Sequence, residues 1–251
     1  TIPMIPMLIL LAIWSAGTLV RIYRQARFYQ IEEYKSNRYT RWLLGERTRW
    51  LPTRTVGASI IGLLFAFMTD SIPGETNSMT YILGIMATLI AVFPASEGEI
   101  KKAFVRTQRA TRMLGAGFVL ALVYFVGIYW FISTVGISSD RLTVGILLGG
   151  GLLGFLLAPA WLMLGNLVMT PVEAALRQRF INQALDVLDT IQPKIIGITG
   201  SYGKTTTKSF LRDILNGRYK TYATPKSYNT MMGVTLAINT DLADDFSVEY
   251  F

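Results

Sequence analysis

The 251-residue chain contains no cysteine and no histidine. Without cysteine, it forms no disulfide and offers no thiolate to a metal ion. Without histidine, these residues supply no imidazole base. Charged residues are also few, at 16%, whereas 51% of the residues are hydrophobic. This balance is high in apolar residues for a soluble domain, but it is ordinary for a chain that lies partly in lipid.

Charged residues are missing from five apolar runs, which cover residues 2–20, 55–69, 80–94, 114–135 and 142–168. The first run is long enough to cross a bilayer, and it lacks the features of a cleaved signal peptide, so it predicts an anchor. The second and third runs are short, and they predict either spans of a thinned bilayer or a hairpin among longer helices. The lack of charge inside the runs disfavours a transporter or proton pump.

Basic residues are concentrated in two of the loops between these runs. They are Arg21, Arg24, Arg27, Lys35, Arg38, Arg41, Arg47, Arg49 and Arg54 in one loop, and Lys101, Lys102, Arg106, Arg109 and Arg112 in the other. Basic loops mark the cytoplasmic side of a membrane. The loop over 70–79 contains no Lys or Arg, which fits the outer side. The sequence therefore predicts a multi-pass plasma-membrane domain over 1–170, with about five spans and a cytoplasmic C-terminus.

Aromatic residues are interleaved with the arginines of the first basic loop. They are Tyr23, Phe28, Tyr29, Tyr34, Tyr39, Trp42 and Trp50. Such a pattern can bind nucleic acid by stacking, but beside a membrane it suits contact with lipid headgroups. We therefore predict membrane lipids as partners and no nucleic acid. A third role, holding an anionic lipid-linked substrate or docking onto the next domain, stays open.

Glycines recur in the fifth apolar run at spacings of four, as the pairs Gly145/Gly149 and Gly150/Gly154. Such spacing lets two helices approach closely. The close approach is either within the bundle, which we favour, or with a membrane-protein partner.

An amphipathic connector is predicted over 171–192. Pro171 suits the first turn of a new helix, and Pro193 ends it. Apolar residues recur between them at near-helical spacing: Val172, Leu176, Phe180, Ala184, Leu188 and Ile191. We expect this stripe to pack on a domain that starts at residue 193.

The stretch KIIGITGSYGKTTTK, residues 194–208, predicts a buried strand, a glycine turn and the start of a helix over about 204–215. Gly200 and Gly203 allow a tight turn with no Cβ to obstruct a phosphate. Lys204 can reach terminal phosphates, and Thr205 supplies the hydroxyl that such loops place on Mg²⁺. The helix would point its N-terminal amides and positive dipole end at the same spot.

Further strands are predicted over 219–223 and 247–251, with a helix starting over 233–240. The predicted fold class is therefore mixed: an α-helical membrane bundle followed by a partial α/β domain with a phosphate loop. In such a domain the nucleotide binds at the carboxyl edge of a parallel sheet.

Two motifs resemble the Mur ligases, which join amino acids or peptides to cell-wall precursors. Residues 199–206, TGSYGKTT, resemble the ATP loop of that family. Residues 224–234, TPKSYNTMMGV, resemble a later segment of the branch that adds D-alanyl-D-alanine. That branch usually has two adjacent asparagines; Asn229 keeps the first, and Thr230 replaces the second. The resemblance covers about residues 191–251.

The resemblance implies a partial Mur ligase central domain and an ATP-dependent carboxylate–amine ligase that uses Mg²⁺ and an acyl phosphate. It implies a catalytic role for Lys204 and a metal-binding role for Thr205. The residues that it assigns to the nucleotide are Thr199, Gly200, Ser201, Tyr202, Gly203, Lys204, Thr205, Thr206 and Asn229.

Two departures from the family leave alternatives. Membrane spans stand where the family has a soluble domain for the UDP-linked precursor, so the cell-wall substrate is either UDP-linked or lipid-linked. The chain starts at Thr1 and stops at Phe251 inside a predicted strand, so we expect both ends to be incomplete, with the family's other metal ligands further on. The alternative function is a structural or accessory membrane subunit whose ATP-binding end is incomplete or inactive.

Overall fold

The computed structural model describes residues 4–68, 77–94, 103–137, 139–225, 228, 230–243 and 247–251. The chain divides into two compact units, Thr1–Thr170 and Pro171–Phe251. Its helices are α1 (Met4–Ile31), α2 (Ser36–Leu44), α3 (Arg47–Trp50), α4 (Thr53–Met68), α5 (Asn77–Val92), α6 (Gln108–Val135), α7 (Asp140–Leu156), α8 (Ala158–Ile191), α9 (Lys204–Leu215) and α10 (Met231–Ala237), followed by a π-helical turn (Ile238–Leu242).

Two described helices, α1 and α6, are long and apolar enough to cross a membrane. Each has 28 residues, which gives a length of about 42 Å at the helical rise per residue. The pair α7 and α8 counts as a third if the two helices, bent by 58°, form one span. Helices α4 and α5 have 16 residues each and are shorter than the roughly 30 Å hydrocarbon layer. The count of five spans stays a prediction. The predicted outer loop lies mostly, and Lys101 and Lys102 lie wholly, outside the described residues.

Prolines divide the last apolar run differently from the prediction. The run over 142–168, which was predicted as one span, is divided at Leu157 between α7 and α8. Pro159 lies in the first turn of α8, where a missing N–H costs nothing, and it cannot continue the hydrogen bonds of the preceding helix. The prediction that Pro171 starts a new helix is wrong, because Pro171 lies inside α8. The Thr170 hydroxyl donates to the Asn166 carbonyl at 2.8 Å in the turn beside this proline.

The core of the first unit is built where glycines let helices touch. Trp14 of α1 is fully buried, and a Cβ built on Gly151 of α7 would lie only 2.4 Å from its ring atoms. A Cβ on Gly17 would lie 2.4 Å from Val92. These side chains therefore occupy the space that a larger residue would need, which brings α1 close to α7 and α5.

The two predicted glycine pairs differ in how closely they contact a neighbouring helix. A Cβ on Gly150 would lie 2.9 Å from Ile128, and one on Gly154 would lie 2.7 Å from Tyr124, so both glycines face α6 within the unit. A Cβ on Gly149 would meet no atom within 4 Å. The favoured interpretation, packing within the bundle, is confirmed for Gly150 and Gly154. Contact of this helix with a partner protein stays a prediction.

Aromatic residues of the first basic loop pack inside the unit. Tyr29 and Tyr39 are fully buried. Phe28 and Trp42 stack with ring centroids 4.3 Å apart, and the Arg49 guanidinium lies 4.7 Å from the Trp42 centroid. These rings belong to a second core cluster, which also includes residues of α6 and α8. The faces of Phe28 and Trp42 therefore contact each other and the Arg49 guanidinium.

The second unit uses only the C-terminal part of the connector stripe. Ala184, Leu188 and Ile191 of α8 pack with Ile238, Leu242 and Val248 in one core cluster. The Asn239 side-chain amide donates to the Phe180 carbonyl at 2.9 Å. By contrast, Val172 and Leu176 are exposed.

The predicted partial α/β domain is wrong, since 78% of the described residues are helical and none of them form a strand or sheet. Three extended segments meet only at isolated parallel bridges, Lys194 with Tyr250 and Thr221 with Tyr250. The backbone hydrogen bonds that join these segments stop at Ile196 and Tyr222. A β-branched run favours an extended backbone, but a strand also needs partners along its length, and these pairings are too short to form a ladder.

We expect Gly151→Ala to destabilise the first unit by about 1–3 kcal/mol, because the new methyl group would overlap the buried Trp14 ring. The measurement is thermal unfolding of the full chain in detergent, followed by tryptophan fluorescence. The matched control is Gly149→Ala on the same helix, which we expect to be neutral or stabilising by up to about 1 kcal/mol. Equal effects of the two substitutions would show that the α1–α7 contact is not tightly packed.

Candidate functional site

The loop before α9 takes a backbone path that favours glycine. Gly200 has φ 151° and Gly203 has φ 76°, in a region that side-chain-bearing residues rarely adopt. Gly203 is the N-cap of α9, and no side chain caps the helix. The first-turn amides and the positive end of the helix dipole are therefore directed at whatever lies before Lys204. The prediction that this helix covers about 204–215 is confirmed.

A cavity of about 730 Å³ lies beside this loop, within the roughly 300–1,000 Å³ of small-molecule sites. It is lined by residues of the 195–200 segment, of α9, of the 221–224 segment and of α10. The predicted nucleotide-binding residues that line it are Thr199, Gly200, Lys204 and Thr205. Ser201, Tyr202, Gly203 and Thr206 are not among its lining residues, and Tyr202 is 96% exposed. Asn229 lies outside the described residues.

The Lys204 ammonium group folds back over its own loop and donates to the Gly200 carbonyl. This contact joins the start of α9 to the Gly200 end of the turn. The Lys204 side chain thus lies at the mouth of the loop, where the α9 amides are also directed. A cation and a set of backbone donors at one point are suited to an anionic group.

Lys208 also lines the cavity and was not predicted as a site residue. Its ammonium group donates to the Thr224 carbonyl at 2.5 Å and to the Thr224 hydroxyl at 3.2 Å. Lys208 lies four residues after Lys204, so both lysines share one face of α9. That spacing is the signal in the sequence that identifies Lys208.

Thr230, the residue at the second asparagine position, has a local structural role. Its side chain is the N-cap of α10 and accepts a hydrogen bond from the Gly233 amide at 3.2 Å. Threonine is a good N-cap residue, so α10 begins at Met231, two residues before the predicted start. Thr230 and the neighbouring Tyr228 both line the cavity.

Tyr222 connects the cavity wall to the π-helical turn. Its hydroxyl donates to the Asp241 carboxylate, which also accepts a hydrogen bond from Thr240. Burial, together with the Asp241 carboxylate, raises the pKa of Tyr222. The hydrogen bonds from Tyr222 and Thr240 lower the pKa of Asp241 below its ordinary value.

The class of this molecule is an apolar helical bundle that is followed in the chain by a glycine loop and a lysine-bearing helix. Comparison with known proteins then shows what its C-terminal part is similar to. Residues 198–248 match the family described as Mur ligase middle domain. The loop, α9, α10 and most residues of the cavity wall fall within the matched residues, so this segment is similar to the Mur ligase middle domain.

Two curated relatives carry the same printed name, UDP-N-acetylmuramoyl-tripeptide–D-alanyl-D-alanine ligase. The protein from Borreliella burgdorferi is 53% identical over 45 residues, which are 18% of this chain and 10% of the relative. The protein from Bacillus subtilis is 34% identical over 61 residues, which are 22% of this chain and 13% of the relative. The chain therefore spans about a tenth of the length of these relatives. No solved structure matches the chain.

We expect Tyr222→Phe to raise the pKa of Asp241 toward its ordinary value of 3.8. In the folded chain the carboxylate is stabilised by the Tyr222 hydroxyl, so this contribution to stability is present above pH 3.8 and is lost as the pH falls through the lower folded pKa. The measurement is a carbon-13 NMR titration of the Asp241 carboxyl group in the full chain. The control is Tyr219→Phe, because the Tyr219 ring packs at a tilt against Tyr250 instead. An unchanged Asp241 titration in Tyr222→Phe would contradict the contact.

Proposed function

We propose that the chain is part of a membrane-anchored, ATP-dependent amide ligase of the Mur type that acts on a cell-wall precursor. The observation that carries the proposal is the glycine loop at the start of α9, which opens onto the cavity inside the segment that matches the Mur ligase middle domain. The relatives are named as ligases that join a dipeptide to a UDP-linked muramoyl tripeptide. Because the chain covers little of their length, the complete reaction is proposed for the protein of which this chain is part.

The residues around the cavity fit a nucleoside triphosphate with Mg²⁺. The α9 amides and the Lys204 and Lys208 ammonium groups supply hydrogen-bond donors and positive charge for a polyphosphate. The Thr205 hydroxyl is the proposed metal ligand from this chain, and phosphate oxygens and water would complete the shell. Among the described residues, no group of three or more acidic side chains is placed to hold a metal ion. When bound, ATP supplies the phosphoryl group that activates a substrate carboxylate for attack by an amine.

Lys204 is the catalytic residue that this chain contributes to the proposed phosphoryl transfer. Its ammonium group leaves the Gly200 carbonyl and pairs with a phosphate oxygen, which neutralises charge as the phosphoryl group is transferred. Gly200 and Gly203 let the loop backbone approach the phosphates without a Cβ between them. Lys208 keeps α9 fixed to the Thr224 segment, so that the helix N-terminus stays aimed at the same point.

Features of the bundle support a membrane location for the ligase. Helices α1 and α6 are long and apolar enough to span, and basic residues follow α1 and begin α6, which favours a cytoplasmic position for that end. We propose that residues 1–170 anchor the enzyme as a multi-pass domain and that the C-terminal unit faces cytoplasmic ATP.

Comparing ATP turnover of the intact protein with UDP-linked and with lipid-linked precursors would identify the substrate. If ATP turnover responds to neither precursor, the proposal of a ligase is contradicted.

We expect Lys204→Met to weaken ATP binding by about tenfold or more, because one charge-assisted contact to a phosphate is lost. The measurement is titration of the full chain in detergent with a fluorescent ATP analogue. Lys220→Met is the matched control, because Lys220 contacts Ser247 and does not line the cavity. Equal affinities of the wild-type and Lys204→Met chains would contradict a phosphate-binding loop.

Thr205→Val should remove most of the gain in ATP affinity that Mg²⁺ gives the wild-type chain, because valine keeps the shape of threonine without an oxygen ligand. Affinity measured with and without Mg²⁺ checks this prediction. The control is Thr207→Val on the same helix, where the Mg²⁺ dependence should stay intact. A Thr205→Val chain with wild-type Mg²⁺ dependence would show that the hydroxyl does not bind the metal.

A further inference from the structure

Helices α4 and α5 contact each other through small residues and expose large ones. A Cβ built on Gly62 of α4 would lie 2.5 Å from the Ala87 Cβ of α5. The Thr55 hydroxyl donates to the Ala91 carbonyl at 2.8 Å. The large apolar side chains of the pair are at least half exposed, among them Ile61, Leu64, Phe65, Ile82, Met86 and Ile90. A continuous apolar surface of this kind is rare on a protein that folds in water, and it indicates a face that meets lipid.

The α4–α5 pair lies along α1. A Cβ on Gly84 of α5 would lie 3.8 Å from Leu10, and a Cβ on Gly17 of α1 would lie 2.4 Å from Val92. These two contacts occur in the same order on both helices and at nearly equal spacing, so α5 runs in the same direction as α1. The end of α5 therefore lies beside the part of α1 where the basic residues begin.

Helix α7 measures the distance between the polar ends of this side of the unit. At one end, the Tyr81 hydroxyl of α5 donates to the carboxylate of Asp140, the first residue of α7, at 3.2 Å. At the other end, the Arg21 guanidinium lies 4.6 Å from the ring centroid of Phe155. From Asp140 to Phe155 the helix rises about 22 Å. The apolar layer between these two charged residues is therefore thin.

The α4–α5 pair has a similar apolar length. Each helix has 16 residues, or about 24 Å, and Arg54 at the start of α4 donates to the Phe93 carbonyl just past the end of α5. By contrast, α6 carries no charged residue from Met113 to Val135, a length of about 34 Å. The α4–α5 pair and α7 thus form a short apolar side, which falls below a hydrocarbon layer of roughly 30 Å.

We propose that the exposed face of the α4–α5 pair binds thinned bilayer and selects phospholipids with short acyl chains. A helix that is shorter than the hydrocarbon layer is accommodated by thinning of the bilayer, by snorkelling of flanking residues or by oligomerisation. Short acyl chains cover the apolar face without drawing the polar groups at either end into hydrocarbon. The selection depends on acyl-chain length and not on headgroup charge. It rests on the proposed membrane insertion and not on ATP binding.

The test compares lipid selection at two labelled positions of the full chain. Because the chain contains no cysteine, Ile61→Cys on α4 and Val123→Cys on α6 each attach one fluorophore at an exposed apolar position. Vesicles contain brominated long-chain phosphatidylcholine, which quenches the fluorophore on contact, mixed with unbrominated dimyristoleoyl phosphatidylcholine. A reference mixture replaces the short-chain lipid with dioleoyl phosphatidylcholine.

We expect an about threefold preference for the short-chain lipid at the Ile61→Cys label, so that quenching is weaker there than in the reference mixture. The Val123→Cys label is the matched control on a long helix, and its quenching should be the same in both mixtures. Ile90→Cys repeats the measurement on α5, where the side chain is also exposed, and should behave like Ile61→Cys. Agreement of two separate substitutions shows that neither label created the preference.

Equal quenching of the α4 and α5 labels in the two mixtures would overturn the proposal, and so would an equal preference at the α6 label. If the α4 and α5 labels escape quenching while the α6 label is quenched, protein covers the face and the proposal also fails. If no label is quenched, membrane insertion is overturned together with the lipid selection. ATP binding to the α9 loop is judged separately by its own titration.

Discussion

The first unit depends on how closely α1 can approach α7. The Trp14 indole occupies the space that a side chain on Gly151 would need, with a built Cβ only 2.4 Å away. If the unit lies in lipid as proposed, exclusion from water does not drive its helices together, so van der Waals contact must do so. A bulky ring against a bare backbone maximises that contact. The same arrangement recurs where Val92 packs over Gly17, one turn further along α1, which joins α5 to α1.

The basic end of the bundle is held together by a buried cation. Arg21 is almost fully buried, donates to the Trp50 carbonyl at 3.1 Å and lies 4.6 Å from the Phe155 ring centroid. A buried guanidinium needs acceptors, and the backbone carbonyls of Arg49 and Trp50 at the end of α3 accept from its Nη2, whereas its Nη1 is buried without an acceptor among the described residues. The charge that suggests a cytoplasmic loop in the sequence thus also fixes the fold of that loop. The apolar part of α1 and its basic continuation therefore form one continuous packed helix.

In the second unit, glycine matters for backbone angle more than for space. The positive φ of Gly203 ends the incoming segment and starts α9 without a side-chain cap, which leaves the first-turn amides available. Lys204 and Lys208 then follow on one face of the helix. The positive charge, the helix end and most of the cavity lining coincide within residues that match the Mur ligase middle domain. This coincidence supports the proposed nucleotide site more strongly than any one motif does.

Features that arise from local hydrogen bonds and local composition can be read from the sequence. The helix from Lys204 to Leu215, the long apolar helices and the glycine turn were all predictable, because a helix pairs each amide with a carbonyl four residues away. The remaining features depend on contacts between distant segments. The predicted strands do not form, Pro171 does not start a helix, and the contacts of Lys208 with Thr224 and of Tyr222 with Asp241 join distant segments. Which segments meet, and over what length, depends on packing between parts of the chain far apart in sequence, and a local pattern does not contain that information.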